Sequence, residues 1–145
     1  MPKTSRSAAT NSDEGVKTQI LKVATHLFAR QGFSGTSLQA IVDEVGIRKP
    51  SLLYHYPSKE ALREAVVEEM LQQWQIRLPR ILAAATAGSD SFDALFGEVS
   101  EYFSEDPNRA RLLLREAVNR PDQTRKRLGK DFGPWMSMLS NAIDN

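Results

Sequence analysis

Apolar residues recur at helical spacing along most of the chain. Val16, Ile20, Ala24, Leu27 and Phe28 form one stripe, with Ser12 or Asp13 as a cap before it and Gly32 after it. Leu38, Ile41, Val42 and Val45 form a second, short stripe. Gly46 closes it, where a helix commonly ends in the left-handed conformation that glycine adopts without steric penalty. Pro50 suits the first turn of a third helix, whose N–H would be unpaired there anyway. On that helix Leu52 and Tyr56 lie one turn apart and are predicted to face inward. Ser58 can then cap a long helix, with Glu60 complementing the positive end of its dipole. Leu62, Val66, Met70, Trp74 and Leu78 recur every four residues and continue through Ile81 and Leu82. This predicts roughly 25–28 helical residues, or about 40 Å, bent or curved at Pro79.

A break at residues 87–91 follows, and then Phe92, Leu95, Phe96, Val99 and Phe103 share one face. Asp106-Pro107 opens another helix, with Leu113, Leu114 and Ala117 expected inward. Leu128, Phe132, Trp135, Met136, Leu139 and Ile143 mark a last helix, expected to kink or split at Gly133-Pro134. Its amphipathic pattern reaches Asn145 without a stop signal. The predicted fold class is all-α.

The two short helices carry the functional signal. If Leu52 and Tyr56 turn inward, Lys49, Ser51, Leu53, Tyr54 and His55 are left to the outer side and flank. No carboxylate occurs from Val45 to Lys59, while Arg48, Lys49 and Lys59 are cationic. Cationic, hydroxyl and imidazole groups on one side of a short helix can donate to phosphates and base edges in a DNA major groove. Length, turn residue and pattern together describe a helix-turn-helix. Two short amphipathic helices around a glycine also occur in ordinary helical cores. The sequence of these helices is more specific than their pattern.

The run T-S-L-x-x-I-V-x-x-V-G-I-x-K-P-S-L-x-Y-H-Y-P-S-K-E-A-L, residues 36–62, resembles the DNA-binding segment of tetracycline-repressor-type (TetR family) regulators. The preceding ILKVATHLFARQGFSGTS is similar to that family's first helix and loop. The resemblance covers about the first 65 residues. It implies an all-helical, homodimeric, ligand-responsive transcription factor, usually a repressor, acting on a palindromic operator in double-stranded DNA. One departure is Leu53, which stands where the family most often has a tyrosine that touches the phosphate backbone. Leucine cannot donate that hydrogen bond, although its methyls can meet a thymine methyl. The resemblance also implies two further helices that pair across the dimer. With no candidates for them, either the C-terminal part is truncated, which is the expectation, or the protein dimerises by another surface.

The domains expected on this basis are a disordered N-terminal arm over 1–12, a helix-turn-helix DNA-binding domain over 13–57, and a partial helical effector-binding and dimerisation domain over 58–145. The arm carries Lys3 and Arg6 and could reach DNA on binding. Charge divides in the same sense: residues 1–64 hold nine Lys/Arg against six Asp/Glu, and residues 65–145 hold ten against twelve. Candidate DNA contacts are Thr36, Ser37, Gln39, Arg48, Lys49, Pro50, Ser51, Leu53, Tyr54, His55 and Lys59. Thr36 or Ser37 can cap the second helix, whose N-terminus also suits a phosphate.

Large apolar residues in the back half, Met70, Trp74, Phe92, Phe96, Tyr102, Phe103, Trp135 and Met138, are the candidate lining of a site for a small apolar effector. Such stripes also fill ordinary cores. Arg77, Arg80, Arg109 and Arg115 could recognise an anion or simply solvate outer faces.

With no cysteine there is neither a disulfide framework nor a thiolate metal site. No apolar run is long enough to span a membrane and no secretory signal opens the chain, so a cytoplasmic protein is expected. The histidines number two, His26 and His55, and there is no Gly-rich phosphate loop or HExxH motif. Neither an enzyme, nor a cofactor, nor a metal site is expected. The alternative to a regulator is a helical adaptor of regulator ancestry that no longer reads DNA, which Leu53 and the missing helices would suit.

Overall fold

A computed structural model describes residues 5–86 and 88–143, with side chains for 12–86, 88–138, 140 and 141. Lys3 and Arg6 of the expected arm and the apolar positions Leu139 and Ile143 fall outside those side chains. All regular structure among the described residues is helical. The helices are α1 (Ser5–Gln31), α2 (Leu38–Val45), α3 (Lys49–His55), α4 (Lys59–Ala85), α5 (Ser91–Glu105), α6 (Pro107–Asn119) and α7 (Pro121–Ile143), with a short 3-10 turn at Gly88–Asp90. The chain forms two compact units, Met1–Val67 and Glu68–Asn145, divided within α4.

In the first unit the stripes read from the sequence meet in one core. Ile20, Ala24, Leu27 and Phe28 of α1 are buried together with Ile41 and Val42 of α2, Leu52 of α3, Tyr56, and Leu62 and Val66 of α4. Fully burying a side chain such as Leu52 is worth roughly 1.5–3 kcal/mol. Tyr56 closes the base of α3 and its hydroxyl donates to the Lys17 carbonyl at 3.4 Å. The turn between α2 and α3 is built on Gly46, at φ 81° and ψ 34°, whose N–H donates to the Val42 carbonyl at 2.8 Å. A side chain there would force a left-handed backbone that L-residues rarely adopt.

One boundary differs from expectation. α1 begins at Ser5, so the segment from Ser5 to Ser12, expected as part of a disordered arm, lies within the helix. No proline interrupts this stretch, and Ala8 and Ala9 are strong helix formers. Ser12 and Asp13 are therefore interior positions and cannot be caps.

In the second unit Leu71, Leu78, Ile81, Tyr102 and Leu112 are buried. Asp106 caps α6, accepting from the Asn108 N–H at 3.0 Å, and Pro107 occupies the first turn. The inward residue of α6 is Leu112. Leu114 is 66% exposed and Ala117 is also exposed, contrary to the predicted phase. Pro79 and Pro134 lie inside continuous helices, so the last helix is not split at Gly133-Pro134.

Candidate nucleic-acid interface

The face of α3 is set by what lies beneath it. Leu52 is fully buried and Tyr56 nearly so, which fixes the rotation of this seven-residue helix. Arg48, Lys49, Pro50 and Ser51 are consequently exposed, Leu53 and His55 are half-buried on the flank, and Tyr54 is 76% exposed. The rings of Tyr54 and His55 pack edge to face with centroids 5.0 Å apart, which orders two outer groups against each other. Arg48 is the N-cap and Pro50 sits in the first turn. The outer side thus carries two cations, a hydroxyl and a phenol. Such a face offers donors to phosphates and base edges, and Leu53 adds an apolar contact.

Ser37 and Thr36 part company. Ser37 is exposed and caps α2, its Oγ accepting from the Ala40 N–H at 3.0 Å. Thr36 is 1% exposed and its hydroxyl donates to the Gly32 carbonyl at 2.7 Å. That corrects the assignment of Thr36 as a DNA contact: its side chain holds the α1–α2 loop from within. Gly35 in the same loop allows a close approach, because a Cβ there would stand 2.4 Å from the Gln31 carbonyl oxygen. Gln39 is exposed and its amide donates to the Asp43 carboxylate at 2.8 Å.

Ser58 caps α4, its Oγ accepting from the Ala61 N–H at 3.0 Å. Lys59 follows, half-buried, with Nζ 4.3 Å from the centroid of the Phe33 ring. Arg63, one turn on, lies 4.4 Å from the same centroid. Hydrophobic patterning does not single out Phe33 or Arg63. For Arg63 the signal in the sequence is its four-residue spacing from Lys59 at a helix start; for Phe33 there is none.

The candidate effector residues divide. Trp74 packs on Tyr102, Phe103 and Phe132 with ring centroids 4.7, 6.2 and 6.3 Å apart. The Tyr102 hydroxyl donates to the Met70 backbone carbonyl at 3.0 Å, and the Met70 side chain is half-buried. Burial pushes the Tyr102 phenol pKa up, against the lowering effect of Arg109 and Arg77. Phe92 and Phe96 stack on each other but are 75% and 66% exposed, so they stand apart from that cluster. Trp135 is half-buried and Met138 is exposed.

Three of the arginines read as possible anion sites or outer-face residues are engaged by carboxylates. Arg77 pairs with Glu101 and Glu105, Arg80 with Glu98 and Glu101, and Arg109 with Glu105. Hydrogen bonds from Arg109 and Arg77 hold the Glu105 carboxyl below its ordinary value. No helix among the described residues is long and apolar enough to cross a membrane.

Residues 20–66, which span the second half of α1, all of α2 and α3 and the start of α4, match the sequence model of the bacterial regulatory proteins of the tetR family. Over 130 residues the chain is 32% identical to the HTH-type transcriptional regulator LmrA of Bacillus subtilis (strain 168), covering 86% of this chain and 69% of that protein. It is 45% identical over 58 residues to the HTH-type transcriptional regulator RutR of Escherichia coli (strain K12), covering 40% of this chain and 27% of RutR. A transcriptional regulator from Aquifex aeolicus VF5 has the same fold, with a TM-score of 0.66 at 18% identity over 89% of this chain and 71% of that one. These relatives favour a DNA-reading regulator over an adaptor. The chain belongs to the tetR family of bacterial regulatory proteins and is a helix-turn-helix transcriptional regulator.

Proposed function

We propose that the protein is a cytoplasmic, ligand-responsive repressor that binds a palindromic operator as a homodimer and is released by a small apolar effector. The observation that carries this reading is the division of α3, with Leu52 and Tyr56 buried below and Arg48, Lys49, Ser51 and Tyr54 open above. DNA binding is assigned within residues 13–57 together with Lys59, and effector binding and dimerisation within 58–145. Arg48, Lys49, Pro50, Ser51, Leu53, Tyr54 and His55 read the major groove, while Ser37, Gln39 and Lys59 hold the flanking phosphates.

Two copies place their α3 helices in successive major grooves, about 34–36 Å apart. The cluster of Trp74, Tyr102, Phe103 and Phe132 supports an apolar effector, since sites of this kind are mostly hydrophobic with a few polar groups. The exposed Phe92, Phe96, Leu114, Val118, Met136 and Met138 support a covered apolar face in the assembled protein. Release requires that the effector bind more tightly to the spacing that does not fit the operator.

Selection from a pool of random duplexes tests the reading. The full chain is expected to enrich an inverted repeat whose half-sites are centred about 10–10.5 base pairs apart, or a multiple of that. Enrichment of no sequence over the starting pool would contradict it.

A further inference from the structure

The open faces of α5 and α6 match each other. Phe92 and Phe96 stack with ring centroids 6.4 Å apart and stand exposed on α5, next to the exposed Asp93. On α6 Leu114 and Val118 stand exposed next to the exposed Arg111. Scattered apolar residues are ordinary on a surface, whereas apolar pairs bordered by a charge mark a face that another surface covers. Among the described residues neither Asp93 nor Arg111 joins an ion pair, although Glu98 and Glu105 of the same α5 are held by Arg80 and Arg77.

The spacing is shared as well. Asp93, Phe96 and Ser100 are separated by three and then four residues, and so are Arg111, Leu114 and Val118. Such positions lie on one face of a helix, and two helices packed in parallel meet residue against residue along them. All six are exposed. Laid together, the faces set Asp93 against Arg111, Phe96 against Leu114 and Ser100 against Val118. One chain cannot pair them in this way. A parallel neighbour needs a connection about as long as the 15 residues of α5, or ~22 Å. The single residue between the two helices, Asp106, spans less than ~4 Å.

We propose that α5 of one protomer packs in parallel on α6 of a second copy, with α6 of the first on α5 of the second. The apolar pairs lie at the centre of this interface and the Asp93–Arg111 pairs flank it. Both complementary halves belong to the same chain, so one two-fold axis covers both at once. That self-complementarity selects a second copy as the occupant. The inference rests on the homodimer reading above and gives it a surface.

Sedimentation equilibrium of the full chain over a range of concentrations tests it. The samples are wild type, Asp93→Arg, Arg111→Asp, the variant with both exchanges, and an equimolar mixture of the two single variants. Each single exchange opposes like charges twice per dimer and should weaken dimerisation at least ~tenfold. The variant with both exchanges should recover. The mixture should recover too, because one chain then carries cations at both positions and the other carboxylates at both. Phe96→Ser with Leu114→Ser, which removes the apolar centre and keeps both charges, should sediment as a monomer and reads the interface independently of the exchanges.

Wild-type dimerisation in the single variants and in the serine variant overturns the inference while leaving a homodimer built on another surface. Failure of the mixture or of the doubly exchanged chain to recover overturns it equally. A wild type that is monomeric at every concentration overturns the homodimer reading itself, and the interface with it.

Discussion

The two units use their apolar residues differently. Most of the buried apolar side chains, from Ile20 to Val66, lie in the first unit, whereas the second buries Leu71, Leu78, Ile81, Tyr102 and Leu112. Exposure runs the other way. Among the described residues, Tyr54 is the one exposed large hydrophobic residue of the first unit, against Ile76, Phe92, Phe96, Leu114, Val118, Met136 and Met138 in the second. In a unit whose other described large apolar residues are buried or half-buried, one open aromatic on a cationic helix stands out. In a unit with many open apolar residues, the exposure of any single one says little about its role. The chemistry of α3 can therefore be argued residue by residue, and that of the effector site only as a group.

The sharpest way to break the contrast is to remove a core side chain from the first unit. Leu52→Ala should lower stability by about 2–5 kcal/mol and abolish operator binding at temperatures where the wild type is folded. Denaturant unfolding measures the first effect, and a loss below about 1 kcal/mol would mean that α3 is not anchored through this residue. Next in size is Gly46→Ala, expected to cost about 1–2 kcal/mol because alanine must take up a left-handed backbone. An unchanged midpoint would show that the turn relaxes.

Phe96→Ser sharpens the other side of the comparison. Its ring is two-thirds exposed, so the monomer's stability should change by less than about 0.5 kcal/mol. A larger loss, measured where the chain is monomeric, would show that the face is covered within one chain. The smallest effect expected is at Glu105. Its folded pKa is depressed, so its stabilising contribution is present above the ordinary value of 4.5 and is lost as pH falls through the folded value. The thermal midpoints of wild type and Glu105→Gln should accordingly converge in acid; a gap independent of pH would contradict the pairing with Arg109 and Arg77.

What the sequence made legible was local chemistry. The glycine that closes α2, the serine that caps α4, and the inward pair Leu52 and Tyr56 each follow from a conformational or periodic rule that acts over one turn. Three features were not legible, each for a physical reason. Periodicity cannot phase the run Leu112-Leu113-Leu114, since any of the three can face inward. Two adjacent hydroxyls, Thr36 and Ser37, are equivalent caps until the loop decides which one turns inside. The contact of Phe33 with Lys59 and Arg63 joins residues 26 and 30 positions apart, a distance over which helical spacing carries no information.

The central claim is that the outer face of α3 reads base sequence while the start of α4 holds phosphate. Titrating Lys49→Ala and Lys59→Ala against a selected operator and a random duplex, over a range of salt concentrations, tests it most directly. Lys49→Ala should cost roughly 1–3 kcal/mol on the operator and much less on random DNA. Lys59→Ala should weaken both alike and lower the salt slope by about one. Equal losses on the two duplexes for Lys49→Ala would contradict the assignment of α3 as the reader.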